Sequence, residues 1–171
     1  MRSGLYFTTV NRFLTAEEAA YIVEDCGAQV LVVSEAVRDV AVEMLPSIAN
    51  CPVRLMFDGV AEGYENFESL VNQYPPEPLD DQPKGSLMLY SSGTTGKPKG
   101  IKRALAGSKI TDPDLIGSGL VGGIFGINDQ SVYLSPAPLY HSAPLGFTTG
   151  TQSVGGTAVI LEKFDPLEAL E

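Results

Sequence analysis

The apolar stretch Leu87-Met88-Leu89-Tyr90 runs directly into Ser91-Ser92-Gly93-Thr94-Thr95-Gly96-Lys97-Pro98-Lys99-Gly100, and no other segment of the chain constrains the fold as tightly. A short apolar run bounded by turn residues reads as a buried strand, and the residues that follow cannot prolong it. Glycines at 93, 96 and 100 let the backbone bend so that successive N–H groups point into one concavity, where four hydroxyls and two ammonium groups add further donors. A strand feeding such a loop is shaped for a polyphosphate. A flexible linker is the plain alternative for a Gly/Ser/Thr run. The strand pattern before it and the paired lysines after it speak against a linker.

Charge points the same way. The 171 residues carry a formal charge of −10, yet residues 82–111 contain no acid. Six of the eleven basic residues lie there: Lys84, Lys97, Lys99, Lys102, Arg103 and Lys109. A positive island on a negative body attracts a small polyanion, while the whole repels nucleic acid and anionic membrane. The expected ligand is a nucleotide. A P-loop NTPase needs Gly-Lys followed at once by Ser or Thr to hold magnesium, whereas Lys97 is followed by Pro98. Proline has no N–H and disfavours helical geometry at the preceding residue, so no helix runs through Lys97 from the loop.

The segment from Tyr90 to Gly100 resembles the phosphate loop of the AMP-forming adenylating enzymes, the group of acyl-CoA synthetases, luciferases and peptide-synthetase adenylation domains. Downstream, Ser135-Pro136-Ala137-Pro138-Leu139-Tyr140-His141-Ser142-Ala143-Pro144 is similar to that family's Pro-x-aromatic-His segment beside the acyl site. Leu14-Thr15-Ala16-Glu17-Glu18 and Asp25-Cys26-Gly27-Ala28 resemble the part where these enzymes pass from helix to strand. The resemblance implies ATP with Mg2+, a small-molecule carboxylic acid, fatty or otherwise hydrophobic in the parent enzyme, and coenzyme A as reactants. It places Thr94, Thr95, Gly96 and Lys97 on the β- and γ-phosphates, with Ser91, Ser92, Gly93, Lys99 and Gly100 shaping the loop. Lys99 is left open between phosphate contact and a bond that fixes the loop. Judged alone, a single histidine reads more readily as an ordinary surface or satisfied interior residue than as a functional one; the resemblance reverses this, with Tyr140 shaping the mouth of the acyl tunnel and His141 near the reacting carboxylate or the adenylate. No Tyr-Gly-x-Thr-Glu segment, ribose-binding Asp, hinge or C-terminal catalytic Lys is recognisable, so the chain is expected to be an internal piece of a ligase, inactive by itself. A truncated nucleotide- or partner-binding module without chemistry is the alternative.

At 44% apolar residues the chain can bury one core, and a single partial domain over residues 1–171 is expected, with a first α/β segment over 1–79 and a phosphate-loop segment over 80–171. Thr15 with Glu18 forms a capping-box pattern, and Ala16, Ala19, Ala20, Val23 and Cys26 keep helical spacing up to Gly27. Residues 30–33 read as a strand covered on both faces. A second helix capped by Ser34 would carry Val37, Val40, Ala41, Met44, Leu45 and Ile48 on one face, with Pro46 ending or kinking it. Residues 53–57, 132–135 and 157–161 read as strands, residues 66–74 as a helix, and further helices fall between the last two strands and from Asp165. The fold class is therefore α/β, a mostly parallel sheet flanked by helices, and by resemblance part of the large N-terminal domain of an adenylate-forming enzyme.

Gly117-Ser118-Gly119-Leu120-Val121-Gly122 fits the dinucleotide-binding pattern of an oxidoreductase, but Pro113 leaves three residues for the strand it requires and no acid follows at ribose-binding distance. The plain reading is a glycine-rich helix with Ile116, Leu120 and Ile124 on one face. One histidine and two distant cysteines cannot assemble a zinc site. Cys26 and Cys51 read as small buried or half-buried thiols, and the absence of a secretory signal or an apolar run of about 18 residues leads to an expectation of a soluble, cytoplasmic protein. Lys102 and Arg103 read as solvated charges. Nothing in the sequence sets the oligomeric state.

Overall fold

The computed structural model describes residues 2–91, 96–112, 118–167 and 169–170, and it divides into two compact units, Met1–Ala106 and Gly107–Glu171. In the first unit, helix α1 (Ala16–Asp25) follows strand β1 (Tyr6–Phe7). Thr15 Oγ1 accepts from the Glu18 amide at 3.3 Å and Glu18 Oε2 accepts from the Thr15 amide at 2.9 Å, closing the expected capping box. At the other end Gly27 takes φ +65°, and the amides of Gly27 and Ala28 bond back to Glu24 and Val23, a C-terminal cap that needs a residue free of Cβ strain. Ala16, Ala19, Ala20, Ile22 and Val23 are buried along the helix.

Strands β2 (Val30–Ser34), β3 (Val53–Phe57) and β4 (Glu65–Asn66) form a parallel sheet in the order β2-β3-β4. Strand β2 departs from expectation. Leu31 and Val33 pack on the core, but Val30 and Val32 are 50% and 45% exposed. Alternate side chains leave opposite faces of a strand, and only one face of β2 is covered among the described residues.

The second amphipathic stretch is broken into a 3-10 turn over Glu35–Val37, helix α2 (Arg38–Glu43) and a 3-10 turn over Leu45–Ser47. Ser34 precedes the first turn without a side-chain capping bond. Pro46, which has no amide to donate, sits in the last turn. The periodicity still delivers its residues, since Ala41, Met44 and Ile48 join Cys51, Met56, Ala61 and Tyr64 in the core. Helix α3 (Phe67–Val71), capped by Asn66 through its bond from the Ser69 amide at 2.8 Å, is shorter than residues 66–74.

Strands β5 (Ser86–Ser91) and β6 (Lys99–Lys102) complete this unit. β5 pairs parallel with β1, through Tyr6 with Ser86, and antiparallel with β6, through Ser91 with Lys99.

The second unit holds helix α4 (Ser118–Phe125), strand β7 (Val132–Ser135), helix α5 (Ser142–Ser153) and strand β8 (Thr157–Ile160). β7 and β8 are parallel and α5 connects them. Val121 is the buried residue of α4, whereas Leu120 and Ile124 are 41% and 69% exposed, so the packing face lies beside the expected one and Ile116 falls outside the described residues. The reason sits on α5: a Cβ on Gly150 would lie 2.8 Å from Val121 Cγ1, so the helices meet where one of them has no side chain. The described residues from Asp165 onward form turns, with the Leu167 amide on Asp165 Oδ1 at 2.7 Å. Gly117 lies outside the described residues, and Gly119 and Gly122 belong to α4.

Candidate functional site

The loop leaves β5 at Ser91 and returns into β6 at Lys99, and these two residues face each other in the ladder. Residues 92–98 are therefore closed at their base within the ~5 Å of paired strands, whatever path they take between. Ser92, Gly93, Thr94 and Thr95 lie outside the described residues. Gly96 takes φ +95°, a conformation that L side chains rarely adopt. Lys97, Lys99 and Gly100 are exposed.

Gly100 meets a different requirement. It lies opposite Tyr90, and a Cβ there would stand 3.0 Å from Tyr90 Cζ, 3.1 Å from Tyr90 Oη and 2.6 Å from Met88 Cε. The tyrosine ring crosses β6 at the one residue with no side chain, and its hydroxyl reaches α1, donating to Asp25 Oδ2 at 2.5 Å. Burial, and then this carboxylate, push the Tyr90 phenol far above the ordinary tyrosine range. It stays a neutral donor at any working pH.

One turn earlier on α1, the Tyr21 hydroxyl donates to the Pro98 carbonyl at 3.2 Å, and the Lys97 ammonium lies 5.1 Å from the centroid of the Tyr21 ring. Lys102 lies 4.7 Å from the Tyr6 ring centroid, while the Tyr6 hydroxyl donates to the Arg103 carbonyl at 2.6 Å. Neither lysine makes an ion pair among the described residues, so both positive charges rest on neutral rings. That preserves a field suited to an anion. Sequence reasoning did not anticipate Tyr21 or Asp25. Their one signal is a polar pair at i, i+4 off the apolar stripe of α1, and their partners stand 77 and 65 residues away.

In the second unit His141 is the N-cap of α5, extended at φ −87° and ψ 148°, with its amide bonded to the Pro138 carbonyl at 3.2 Å. Its side chain makes no capping bond and is exposed, and its ring lies 4.4 Å from that of half-buried Tyr140. A helix N-terminus carries partial positive charge, so the imidazole stands where a carboxylate would be favoured.

The other candidates are inert. Burial raises both thiol pKa values, and Cys26 and Cys51 direct their Sγ atoms at the carbonyls of Val23 and Val53. Among the described residues no group of His, Cys, Asp and Glu could hold a metal ion, and no helix is long and apolar enough to cross a membrane.

A family model described as AMP-binding enzyme matches residues 1–171. The chain belongs to the AMP-binding enzyme family. Among its relatives, an indoleacetate–CoA ligase of Aromatoleum aromaticum is 28% identical, with 96% of this chain and 32% of that protein covered. A 2-methylpropanoate–CoA ligase of Humulus lupulus is 26% identical, with 95% of this chain and 31% of the ligase covered. The apo structure of MbtA from Mycobacterium smegmatis superposes with a TM-score of 0.71 at 28% identity, over 92% of this chain and 30% of that one. The chain thus spans about a third of the length of the curated relatives it matches. The α/β architecture is shared with the MbtA structure.

Proposed function

We propose that the full-length protein containing this chain is an AMP-forming acid–thiol ligase, with a hydrophobic carboxylic acid as substrate and coenzyme A as acceptor. The observation that carries this reading is the loop over residues 92–98, closed between Ser91 and Lys99 at the carboxyl end of β5 and flanked by lysines that make no ion pair among the described residues. Two relatives named as CoA ligases support it.

In the first half-reaction a carboxylate oxygen attacks the α-phosphorus of ATP. The new P–O bond forms as the bridge to the β-phosphate breaks, and pyrophosphate leaves with the electron pair. The thiolate sulfur of the acceptor then attacks the acyl carbon of the adenylate, AMP departs, and the thiol proton passes to solvent. The carboxylate is already the nucleophile and needs no base. The barrier is electrostatic, because an anion approaches a polyanion and charge gathers on departing pyrophosphate.

Amides, hydroxyls and ammonium groups fixed around that charge stabilise the transition state more than the bound ground state. Thr94, Thr95, Gly96 and Lys97 take the β- and γ-phosphates in this reading, and Ser91, Ser92, Gly93, Lys99 and Gly100 hold the loop. Mg2+ would be held through the phosphates of ATP beside Thr94 and Thr95, and would supply further positive charge there. Tyr140 lines the approach of the acid, and His141, at the head of α5, donates to the carboxylate or to the adenylate carbonyl.

The test is exchange of radiolabelled pyrophosphate into ATP by the full-length protein across a panel of carboxylic acids. Exchange should depend on one class of acid, and Lys97→Ala should lower it by about two orders of magnitude. Absence of exchange with every acid refutes the ligase, and an unchanged rate in Lys97→Ala removes Lys97 from the mechanism.

A further inference from the structure

Tyr21 and Asp25 hold the phosphate hairpin from outside it. Four residues apart on α1, they project from the same side of the helix. Each takes one arm of the hairpin. Asp25 Oδ2 accepts from the Tyr90 hydroxyl at 2.5 Å, one residue before the outgoing arm ends at Ser91. The Tyr21 hydroxyl donates to Pro98 at 3.2 Å, one residue before the returning arm starts at Lys99. Proline has no amide, so its carbonyl is the only backbone hydrogen-bonding group it has, and Tyr21 takes it. The Tyr21 ring also seats the Lys97 ammonium, 5.1 Å from its centroid.

The helix is a rigid post: capped at both ends, it buries Ala16, Ala19, Ala20, Ile22 and Val23. The hairpin it grips is exposed along β6. Gly100 leaves open the passage through which the Tyr90 ring reaches the post. A carboxylate would repel a triphosphate, so Asp25 belongs behind the loop.

We infer that Tyr21 and Asp25 are positioning residues that pre-order the phosphate hairpin for the triphosphate of ATP, an inference that rests on the ligase reading of that hairpin. A loop held at both arms before the nucleotide arrives loses less freedom on binding. The benefit is confined to ligands that enter the loop. AMP, which lacks the β- and γ-phosphates, gains little from it.

The full-length protein and its Tyr21→Phe, Asp25→Asn and Tyr90→Phe variants are titrated with ATP and with AMP carrying a fluorescent N-methylanthraniloyl group, in the presence of magnesium. Loss of one such bond should weaken ATP binding about three- to tenfold and AMP binding less than about twofold. Tyr21→Leu, which also removes the seat of Lys97, should weaken ATP further and again spare AMP. Should Asp25→Asn fail to fold, Tyr90→Phe removes the same bond from the other side and keeps the ring. Wild-type affinity for ATP in both Tyr21→Phe and Tyr90→Phe overturns the inference, as does equal weakening of ATP and AMP, which marks a merely structural role. In either case the ligase reading stands if the unmodified protein binds ATP and Lys97→Ala weakens it. A wild-type protein that does not bind the labelled ATP sinks the ligase reading and this inference with it.

Discussion

Replacing Gly100 by alanine places a methyl group 2.6 Å from Met88 Cε and 3.0 and 3.1 Å from Tyr90 Cζ and Oη. The methionine tip is flexible and swings away at little cost. The tyrosine cannot, because its hydroxyl is fixed on Asp25, so relieving the clash means breaking that bond. A hydrogen bond to a charged group contributes about 1.5–3 kcal/mol, and a half-exposed pair belongs at the lower end, about 1.5 kcal/mol. Alanine returns about 0.5–1 kcal/mol, since glycine inside a strand is disfavoured by that much. The net expectation is a loss of about 0.5–1 kcal/mol.

Tyr90→Phe removes the hydroxyl and frees the ring to move. In that background Gly100→Ala should be neutral or slightly stabilising, giving a coupling of about 1 kcal/mol or more between the two positions. Equilibrium urea unfolding of the four proteins of this cycle, followed by circular dichroism, measures it as midpoint shifts at constant slope. If Gly100→Ala costs the same in both backgrounds, within about 0.3 kcal/mol, the ring does not depend on the missing side chain and the account of Gly100 is wrong.

The two glycines of α5 should respond to alanine with opposite signs. At Gly146 nothing stands within 4 Å of the new methyl group, so Gly146→Ala should raise the melting temperature by the helix-propensity gain of about 0.8–1 kcal/mol. At Gly150 the methyl group meets Val121 at 2.8 Å; that side chain is 3% exposed and stiff about χ1, so overpacking of about 1–3 kcal/mol should lower it, and Val121→Ala should reverse the sign. Tyr64, whose hydroxyl donates to the Ala41 carbonyl at 2.7 Å, has its pKa pushed by burial up to about 12. Its contribution is fully present below the unfolded tyrosine pKa of about 10 and is lost as pH rises toward the folded value, by at most about 1.4 kcal/mol per pH unit. Thermal melts between pH 9 and about 12 should therefore fall less steeply for Tyr64→Phe than for the wild type, and parallel curves would show that Tyr64 is not the titrating group.

Wherever a feature depends on neighbours within a few residues, the sequence by itself determined it. Thr15 with Glu18 and Gly27 bounded α1 because capping bonds span three to six residues. β3 and β7 followed from short apolar runs, and the turn after Tyr90 followed from glycines and a proline that forbid continuation of strand or helix. The loop that leaves β5 was therefore legible without coordinates. Tertiary structure decided what depends on which surfaces meet. Apolar spacing brought Ala41, Met44 and Ile48 to the core and Pro46 announced an end or kink, but neither showed that the stretch breaks into a short helix between two 3-10 turns. The run Val30-Leu31-Val32-Val33 gave no sign that one of its faces stands open. On α4 the choice of Val121 over Leu120 and Ile124 was made by Gly150, some thirty residues along the chain. The bonds of Tyr21 and Asp25 to the hairpin of β5 and β6 belong to this second class, because they join residues 77 and 65 positions apart. Periodicity and capping are local energies, whereas the choice of partner is set by chain topology and by where a missing side chain leaves room.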